Sequence, residues 1–232
     1  MAVADSLILT RVSARTDYVE QVHRALLDAI CDGTLAPGER ITQEQIAEQM
    51  SVSRSPVLQA LRLLKKDGFI HDAPGRGVQV APLDPVWTGK LYDVRGALDS
   101  LAVRLAVQRG ARLDPRLIDE GREAAAGDDV RRVIDADLAF HTAIYAASGN
   151  ELIVESTALH WTHLRRVMGA VLQPRQSRAT IWDEHAAIAD AVAQRDAERA
   201  VVLTELHVTR ARTSLLDRLG ATMQQTRPPA LV

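Results

Sequence analysis

This sequence of 232 residues has a single cysteine, a nearly balanced charge and no long apolar run. Cys31 is the only cysteine, so the chain forms no intramolecular disulfide and suits a reducing cytosol. The formal net charge of −2 argues against a nonspecific nucleic-acid coat and leaves room for a local basic surface. No stretch reaches the length of a membrane span, and residues 1–15 lack a basic start followed by a long apolar run. We therefore expect a cytoplasmic protein with no membrane partner.

Common catalytic signatures are missing as well. The sequence contains neither an H-E-x-x-H zinc motif nor a nucleophile elbow, and it has no internal repeat or low-complexity tract. With 47% hydrophobic residues, the chain can form two modest domains or one large one. Its organisation is therefore inferred from helical periodicity and turn residues.

Residues 42–77 predict a helix, a tight turn, a second helix and a β-hairpin. Thr42 and Gln45 form a capping box at the first helix, and Pro56 fits the first turn of the second, where Ser53 or Ser55 can act as its cap. Two short strands then flank a loop that contains Pro74, Gly75 and Gly77. This order, with a support helix before it, is that of a winged helix-turn-helix.

In such a motif the second helix enters the DNA major groove by its N-terminal end, which puts Arg54 where base edges are read. Between Arg54 and Arg76 there are five cations and two acids, the sign that phosphate binding needs. The alternative is that these charges only solvate a surface helix. The candidate DNA-binding residues are Ser53, Arg54, Ser55, Arg62, Lys65, Gly75 and Arg76.

The segment IAEQMSVSRSPVLQALRLLKKDGFI, preceded by GTLAPGERI and followed by GRGVQV, resembles the N-terminal domain of the GntR family of bacterial transcription regulators. The resemblance covers about residues 18–80 and implies a homodimer on a palindromic double-stranded operator. One departure concerns the family pattern P-V-R-E-A-L, in which Leu58 and Gln59 occupy the R-E places here. A DNA-contacting arginine of the family is therefore absent, which affects affinity or operator choice.

After a linker at residues 82–90, the apolar spacing predicts helix after helix with no convincing strand. Six helices with short connections over residues 91–219 indicate an antiparallel bundle. The predicted fold class is therefore mainly α, with an N-terminal winged helix-turn-helix and a C-terminal all-α six-helix bundle. The remaining boundaries are a flexible arm at 1–16, the DNA-binding domain at 17–81 and a C-terminal tail at 220–232.

Four polar residues fall on apolar helix faces, where a polar group is costly without a partner. Asp137 and His141 are neighbours on one helix, and His185 and His207 lie in the apolar stripes of two others. One carboxylate and three imidazoles directed into one core suit zinc, nickel or manganese. The alternative is a hydrogen-bonded core network without metal.

The bundle, with D-L-A-F-H, E-H-A-A-I and E-L-H-V in order, resembles the effector domain of the FadR-like branch of GntR regulators, called FCD. The resemblance covers about residues 91–219. It implies that Asp137, His141, His185 and His207 hold one divalent metal per chain, with zinc favoured, and that a small carboxylate binds at or beside it.

Two further residues are candidates for effector binding. Arg95 matches a position of the family's first bundle helix and can pair with a carboxylate through its bidentate fork. The alternative for Arg95 is an ion pair with Asp99, four residues on, at the helix surface. His163 is expected to approach the cavity.

These features favour a regulator, specifically a repressor, whose operator affinity is controlled by a small carboxylate in a metal-containing cavity. A metal-dependent hydrolase with a helical catalytic domain is the first alternative, because three histidines and an aspartate can activate water. The second is a winged-helix DNA protein whose bundle only dimerises.

Overall fold

The computed structural model describes residues 18–172 and 179–225. Its N-terminal unit contains α1 (Tyr18–Cys31), β1 (Arg40–Ile41), α2 (Gln43–Gln49), α3 (Arg54–Lys66), β2 (Ile70–Asp72) and β3 (Val78–Val80). Its C-terminal unit contains α4 (Pro85–Gln108), α5 (Arg116–Ala126), α6 (Val130–Ser148), α7 (Glu151–Val171), α8 (Ala179–Ala193) and α9 (Ala197–Gln225). Over these ranges, the winged helix-turn-helix and the six-helix bundle are both confirmed.

The two helices of the helix-turn-helix begin in different ways. At α2 the capping box is confirmed, since Oγ1 of Thr42 accepts from the backbone N–H of Gln45 at 3.3 Å, and Oε1 of Gln45 accepts from the backbone N–H of Thr42 at 2.9 Å. At α3, Ser53 takes the N-cap position but its side chain makes no capping bond, and Ser55 lies within the helix. The predicted serine cap is therefore wrong. Pro56, the third residue of α3, has no N–H for the cap to accept.

The wing is a three-stranded antiparallel sheet rather than the predicted hairpin alone. Its order is β1-β3-β2, with Ile41 opposite Val78 and His71 opposite Gln79. Gly77 has φ +92°, and a Cβ there would lie 2.5 Å from the carbonyl oxygen of Ile41. This position therefore requires glycine. The sheet covers an apolar core that includes Val22, Leu26, Ile30, Ile46, Val57, Leu61, Leu64, Phe69 and Val80.

In the bundle, α4 lies centrally and packs against α6, α7, α8 and α9. Helix α5 lies outside it against α6 and α8. Gly121 makes that approach possible, because a Cβ there would lie 2.0 Å from the indole ring of Trp182. The buried side chains from the helices form one continuous core.

Two predicted boundaries differ from the structure. Helix α4 begins at Pro85, with the Asp84 carboxylate accepting from two backbone N–H groups at its start, so most of the predicted linker 82–90 is helical. Helix α9 continues to Gln225, six residues into the predicted tail. The predicted arm at 1–16 lies outside the described residues. Within the described ranges, none of the helices has both the length and the apolar character to cross a membrane.

Candidate metal centre

The N-terminal end of α3 presents an exposed polar surface. Arg54 is its first residue, and Nη1 of Arg54 lies 3.4 Å from Oε1 of Glu44. Ser53, Ser55 and Arg62 are exposed beside it or further along the helix. The ion pair of Arg54 is solvent-exposed, so exchanging it for a phosphate or a base edge costs little.

The wing adds two further candidate residues. Gly75 and Arg76 are exposed at its tip, and Nε of Arg40 donates to the carbonyl oxygen of Arg76 at 2.7 Å. Lys65, near the end of α3, pairs with Asp72 on β2. The recognition helix and the wing are thus linked by side chains that are themselves exposed.

Three histidines from three helices meet inside the bundle. His141 lies on α6, His185 on α8 and His207 on α9, and these residues are 1%, 0% and 3% exposed. A ring nitrogen of each lies within 4.8 Å of a ring nitrogen of both others. Phe140 stacks on His185 with ring centroids 4.2 Å apart. The sequence prediction that these imidazoles share one core agrees with this geometry.

Hydrogen bonds set the orientation of His207. Its Nδ1 lies 2.9 Å from Oε2 of Glu184, so Nδ1 carries the proton and Nε2 keeps its lone pair. Arg210 donates to the other oxygen of Glu184 at 2.7 Å. Partial burial alone would raise the pKa of Glu184, but the hydrogen bonds from His207 and Arg210 outweigh it and lower the pKa. Glu184 therefore stays a carboxylate.

The spacing of the donor atoms fits a divalent ion. Nε2 of His185 lies 3.3 Å from Nε2 of His207 and 3.5 Å from Oδ1 of Asp137. Ligands about 2.0–2.1 Å from a tetrahedral zinc stand roughly 3.3 Å apart. Burial, followed by His207 and Arg95, lowers the pKa of His185 well below its usual value, which leaves a neutral ring available as a ligand. Within the described part of the chain, Nδ1 of His185 has no hydrogen-bond partner, and the ring packs against Phe140 and Trp182.

Asp137 is the most exposed of the four candidate ligands, with 17% of its side chain accessible. Burial raises the pKa of Asp137, although Arg95 and His207 act in the opposite direction. A carboxylate in this position is stabilised by a cation coordinated to its oxygen. Asp137 therefore lies next to His185 but outside the group that His141, His185 and His207 form.

Arg95 connects the histidines to a buried polar network. Nη2 of Arg95 donates to Nε2 of His141 at 2.8 Å, and Nε of Arg95 donates to Oδ2 of Asp99 at 3.2 Å. The hydroxyl of Tyr145 donates to Oδ1 of Asp99 at 2.5 Å and accepts from the indole N–H of Trp161 at 2.9 Å. The alternative pairing of Arg95 with Asp99 does form, but both side chains are only 2% exposed rather than at the surface.

A cavity of about 300 Å³ opens beside this network. Its deep end is polar and contains Arg95, Asp137 and His207, whereas Arg210 and Ser214 lie at its exposed end. Apolar side chains cover the wall between the two ends, including Val133, Ile134, Met168, Trp182 and Leu215. The cavity therefore combines a charged deep end, where Asp137 and Glu184 accompany Arg95, with an apolar wall.

His163 lies elsewhere, which differs from its predicted approach to the cavity. Its Nε2 is 2.9 Å from the carbonyl oxygen of Asp67, its ring stacks on Phe69 with centroids 4.1 Å apart, and Trp87 meets it edge-on. The face of α7 that carries His163 is turned toward the N-terminal unit. His163 therefore belongs to the junction between the two units.

The structure also identifies residues that the sequence analysis did not assign to the site. Glu184 precedes His185 in the chain but bonds His207 on the next helix, a contact that only tertiary packing creates. Tyr92 lies one turn before Arg95 and lines the same cavity. In the sequence, Tyr92 lies among apolar residues of α4, so nothing distinguished it from an ordinary packing residue.

Comparisons with known proteins divide the chain at the same place as the fold. Residues 18–80 match the family described as bacterial regulatory proteins, gntR family, and residues 90–227 match the FCD domain. An uncharacterised HTH-type transcriptional regulator of Bacillus subtilis (strain 168) is 30% identical over 158 residues, 66% of each chain. The Glc operon transcriptional activator of Escherichia coli (strain K12) is 28% identical over 230 residues, with 88% of this chain and 91% of its own covered. A solved structure, a putative transcriptional regulator GntR from Rhodococcus sp. RHA1, matches with a TM-score of 0.74 at 26% identity and covers 87% of this chain and 99% of its own.

Proposed function

Because the chain belongs to the GntR family of bacterial regulatory proteins, in the FadR-like branch with an FCD domain, we propose that it is a repressor controlled by a small carboxylate. DNA binding and transcription regulation follow from the family. The finer steps are proposals: a homodimer occupies a palindromic operator, a divalent metal sits among Asp137, His141, His185 and His207, and the carboxylate binds beside it. The meeting of three buried histidines at one point carries this proposal.

The exposed face of α4 supports a dimer. Trp87, Val94 and Leu101 are spaced seven residues apart and are 42%, 48% and 37% exposed. Apolar residues at this spacing form one stripe along a helix, which is typical of a seam against a second helix. Two copies joined there would present two recognition helices to two half-sites.

The proposed DNA contacts are Arg54 with Ser53 and Ser55 at base edges, and Gly75, Arg76, Arg62 and Lys65 at the backbone. Leu58, 36% exposed on α3, replaces the arginine that is usual in the family. A leucine can contact a thymine methyl group but cannot hydrogen-bond a guanine. We expect the operator to differ from that of relatives with arginine there.

The metal would be held by Nε2 of His185 and His207 and by Asp137, with zinc favoured over nickel and manganese. His141 would join these ligands only by giving up the hydrogen bond that its Nε2 accepts from Arg95. A bound divalent ion supplies a positive charge and an open coordination position for a carboxylate oxygen. The guanidinium of Arg95 lies at the same end of the cavity and can hold the second oxygen. The apolar wall then receives the ligand body, and Arg210 is placed to meet a second polar group at the exposed end.

Helix α7 offers a route from the cavity to the DNA-binding unit. The ring of Trp161 lies 4.3 Å beneath the guanidinium of Arg95, and His163, two residues on, contacts the carbonyl of Asp67 directly after α3. A ligand that moves Arg95 would therefore act on the helix that abuts the recognition helix. The ligand changes operator affinity only if it binds more tightly to one of two conformations of the protein, the one that holds the operator or the one that releases it.

Fluorescence anisotropy with DNA from upstream of the protein's own gene tests this function. We expect saturable binding that Arg54→Ala weakens by about 1–3 kcal/mol, with a relaxed sequence preference at the base pair that Arg54 contacts. Arg116→Ala, in an exposed pair with Asp114 on the bundle, is the matched control and should bind like the wild type. The absence of binding at low salt, or equal binding by Arg54→Ala, would contradict the proposal.

The effector step is tested on the same complex. A panel of small carboxylates is titrated into the metal-loaded protein bound to DNA, and an active member releases the DNA from the wild type. Arg95→Gln should lose this response while keeping its metal. A carboxylate that strengthens DNA binding would contradict the repressor assignment, and a response unchanged in Arg95→Gln would contradict the proposed site.

A further inference from the structure

A second cavity, of about 260 Å³, lies at the junction between the two units and is separate from the histidine cluster. Lys66 and Asp67 at the end of α3 form one side of it, Trp87 on α4 a second, and His163 and Arg166 on α7 a third. The cavity therefore contacts the recognition helix and two helices of the bundle at once.

Arg166 is the unusual residue of this cavity. It is 5% exposed, its Nη2 donates to the carbonyl of Ala81, and its Nε has no hydrogen-bond partner among the residues that the structure describes. Over the described ranges, no acidic side chain forms an ion pair with it. Burial lowers the pKa of Arg166 below its usual value, with only the Cys31 thiol acting against this. A buried guanidinium without a counter-charge is strongly unfavourable.

Arg95 provides the comparison within the same protein. It is buried to a similar degree, at 2% exposure, but the carboxylate of Asp99 lies against its guanidinium. Of these two buried arginines, Arg95 has a counter-charge among residues 18–172 and 179–225, whereas Arg166 has none there. Arg166 instead lines a cavity large enough for a small ligand.

The neighbouring groups favour an anion in that cavity. Lys66 adds a second, exposed cation at the rim. Burial lowers the pKa of His163 to about 4, so this ring is neutral and adds no charge at neutral pH. Asp84 also lines the cavity, but its carboxylate is engaged with the backbone N–H groups at the start of α4. Asp67 contacts His163 through its carbonyl oxygen, and its carboxylate is near enough to oppose the effect of burial on the pKa of that ring.

We propose that this junction cavity binds a small oxyanion, a carboxylate or a phosphate, whose charge is balanced by the buried guanidinium of Arg166. The bound anion ties the end of the recognition helix to α4 and α7. This site is independent of the metal and of the effector in the bundle cavity, so either proposal can fail without the other.

Thermal unfolding and calorimetric titration of the full chain test this site. Phosphate and acetate are titrated separately, with sodium chloride at matched ionic strength as the reference. At least one of the two anions should raise the melting temperature of the wild type more than chloride does, and calorimetry should show that this anion binds. A response to phosphate alone assigns a phosphate ligand, and a response to acetate alone assigns a carboxylate.

The variants separate this cavity from other anion sites. Arg166→Gln should bind the responding anion at least about tenfold more weakly, because a charged hydrogen-bond partner is lost. Arg165→Gln, the adjacent residue paired with Asp28 at 3.3 Å, should respond like the wild type. Arg210→Gln, at the exposed end of the bundle cavity, should keep the response too, since Arg210 is largely exposed and does not line the junction cavity.

Three results would overturn the proposal. They are a wild type indifferent to both anions, an Arg166→Gln variant that binds as the wild type does, and an Arg210→Gln variant that loses the response instead. Without added anion, Arg166→Gln should unfold at the same or a higher temperature than the wild type, since an uncompensated charge is removed. A marked loss of stability there would show that the chain itself satisfies the guanidinium and would also contradict the proposal.

Discussion

Replacing Asp99 by alanine should destabilise the bundle far more than the loss of an ordinary ion pair. The carboxylate of Asp99 bonds Nε of Arg95 at 3.2 Å and the hydroxyl of Tyr145 at 2.5 Å, and 2% of its side chain is exposed. Its removal leaves the guanidinium of Arg95 buried without a counter-charge. Breaking a buried pair in this way costs about 3–5 kcal/mol.

Urea unfolding followed by tryptophan fluorescence measures this loss, because Trp161 lies against Arg95. Asp93→Ala, on the same helix but with 68% of its side chain exposed, is the matched control and should cost less than about 1 kcal/mol. Replacing both members of the buried pair, as in Arg95→Met with Asp99→Leu, should recover most of the stability. An Asp99→Ala variant no less stable than Asp93→Ala would refute the reasoning.

Three other predictions concern the metal centre, the wing and the domain junction. Glu184→Gln should weaken metal affinity by roughly 10–100-fold, measured by competition with a chelator, because Glu184 orients the ring of His207. Gly77→Ala should destabilise the wing and weaken DNA binding in anisotropy titrations, because φ is +92° and the new Cβ would lie 2.5 Å from the carbonyl oxygen of Ile41. Burial lowers the folded-state pKa of His163 to about 4, so unfolding takes up a proton between the unfolded and folded pKa values. The stability contributed by neutral His163 is therefore complete above about pH 6.5 and falls toward pH 4, and a melting series should show a shallower decline for His163→Gln.

Each of these predictions has a comparison that can contradict it. Asp183 lies beside Glu184 but pairs with Arg122 at 3.0 Å, so Asp183→Asn should leave metal affinity unchanged. If Asp183→Asn and Glu184→Gln weakened metal affinity equally, the proposed role of Glu184 would be contradicted. Gly220→Ala, which meets no atom within 4 Å, should leave DNA binding unaltered. An acid-side decline equally steep in His163→Gln would assign the pH dependence to other groups.

Helix positions and the inward histidines were accessible from sequence because both depend on local periodicity. The phases of α6, α8 and α9 place His141, His185 and His207 inward regardless of how the helices pack. The burial of Asp99 could not be predicted in this way, because it depends on the packing of α6 and α7 over α4. The position of His163 depends on which face of α7 is turned toward the DNA-binding unit. Strand β1 escaped detection because two residues are too few to show a period.

Elemental mass spectrometry of the purified, tag-free protein tests the metal centre most directly. We predict about one divalent ion per chain in the wild type, and its loss in both His185→Ala and His207→Ala. Asp183→Asn, outside the ligand set, should retain the ion. A wild type that holds no metal after incubation with zinc, nickel or manganese, and whose melting temperature is unchanged by chelator, would contradict the account and leave the histidines as a hydrogen-bonded core.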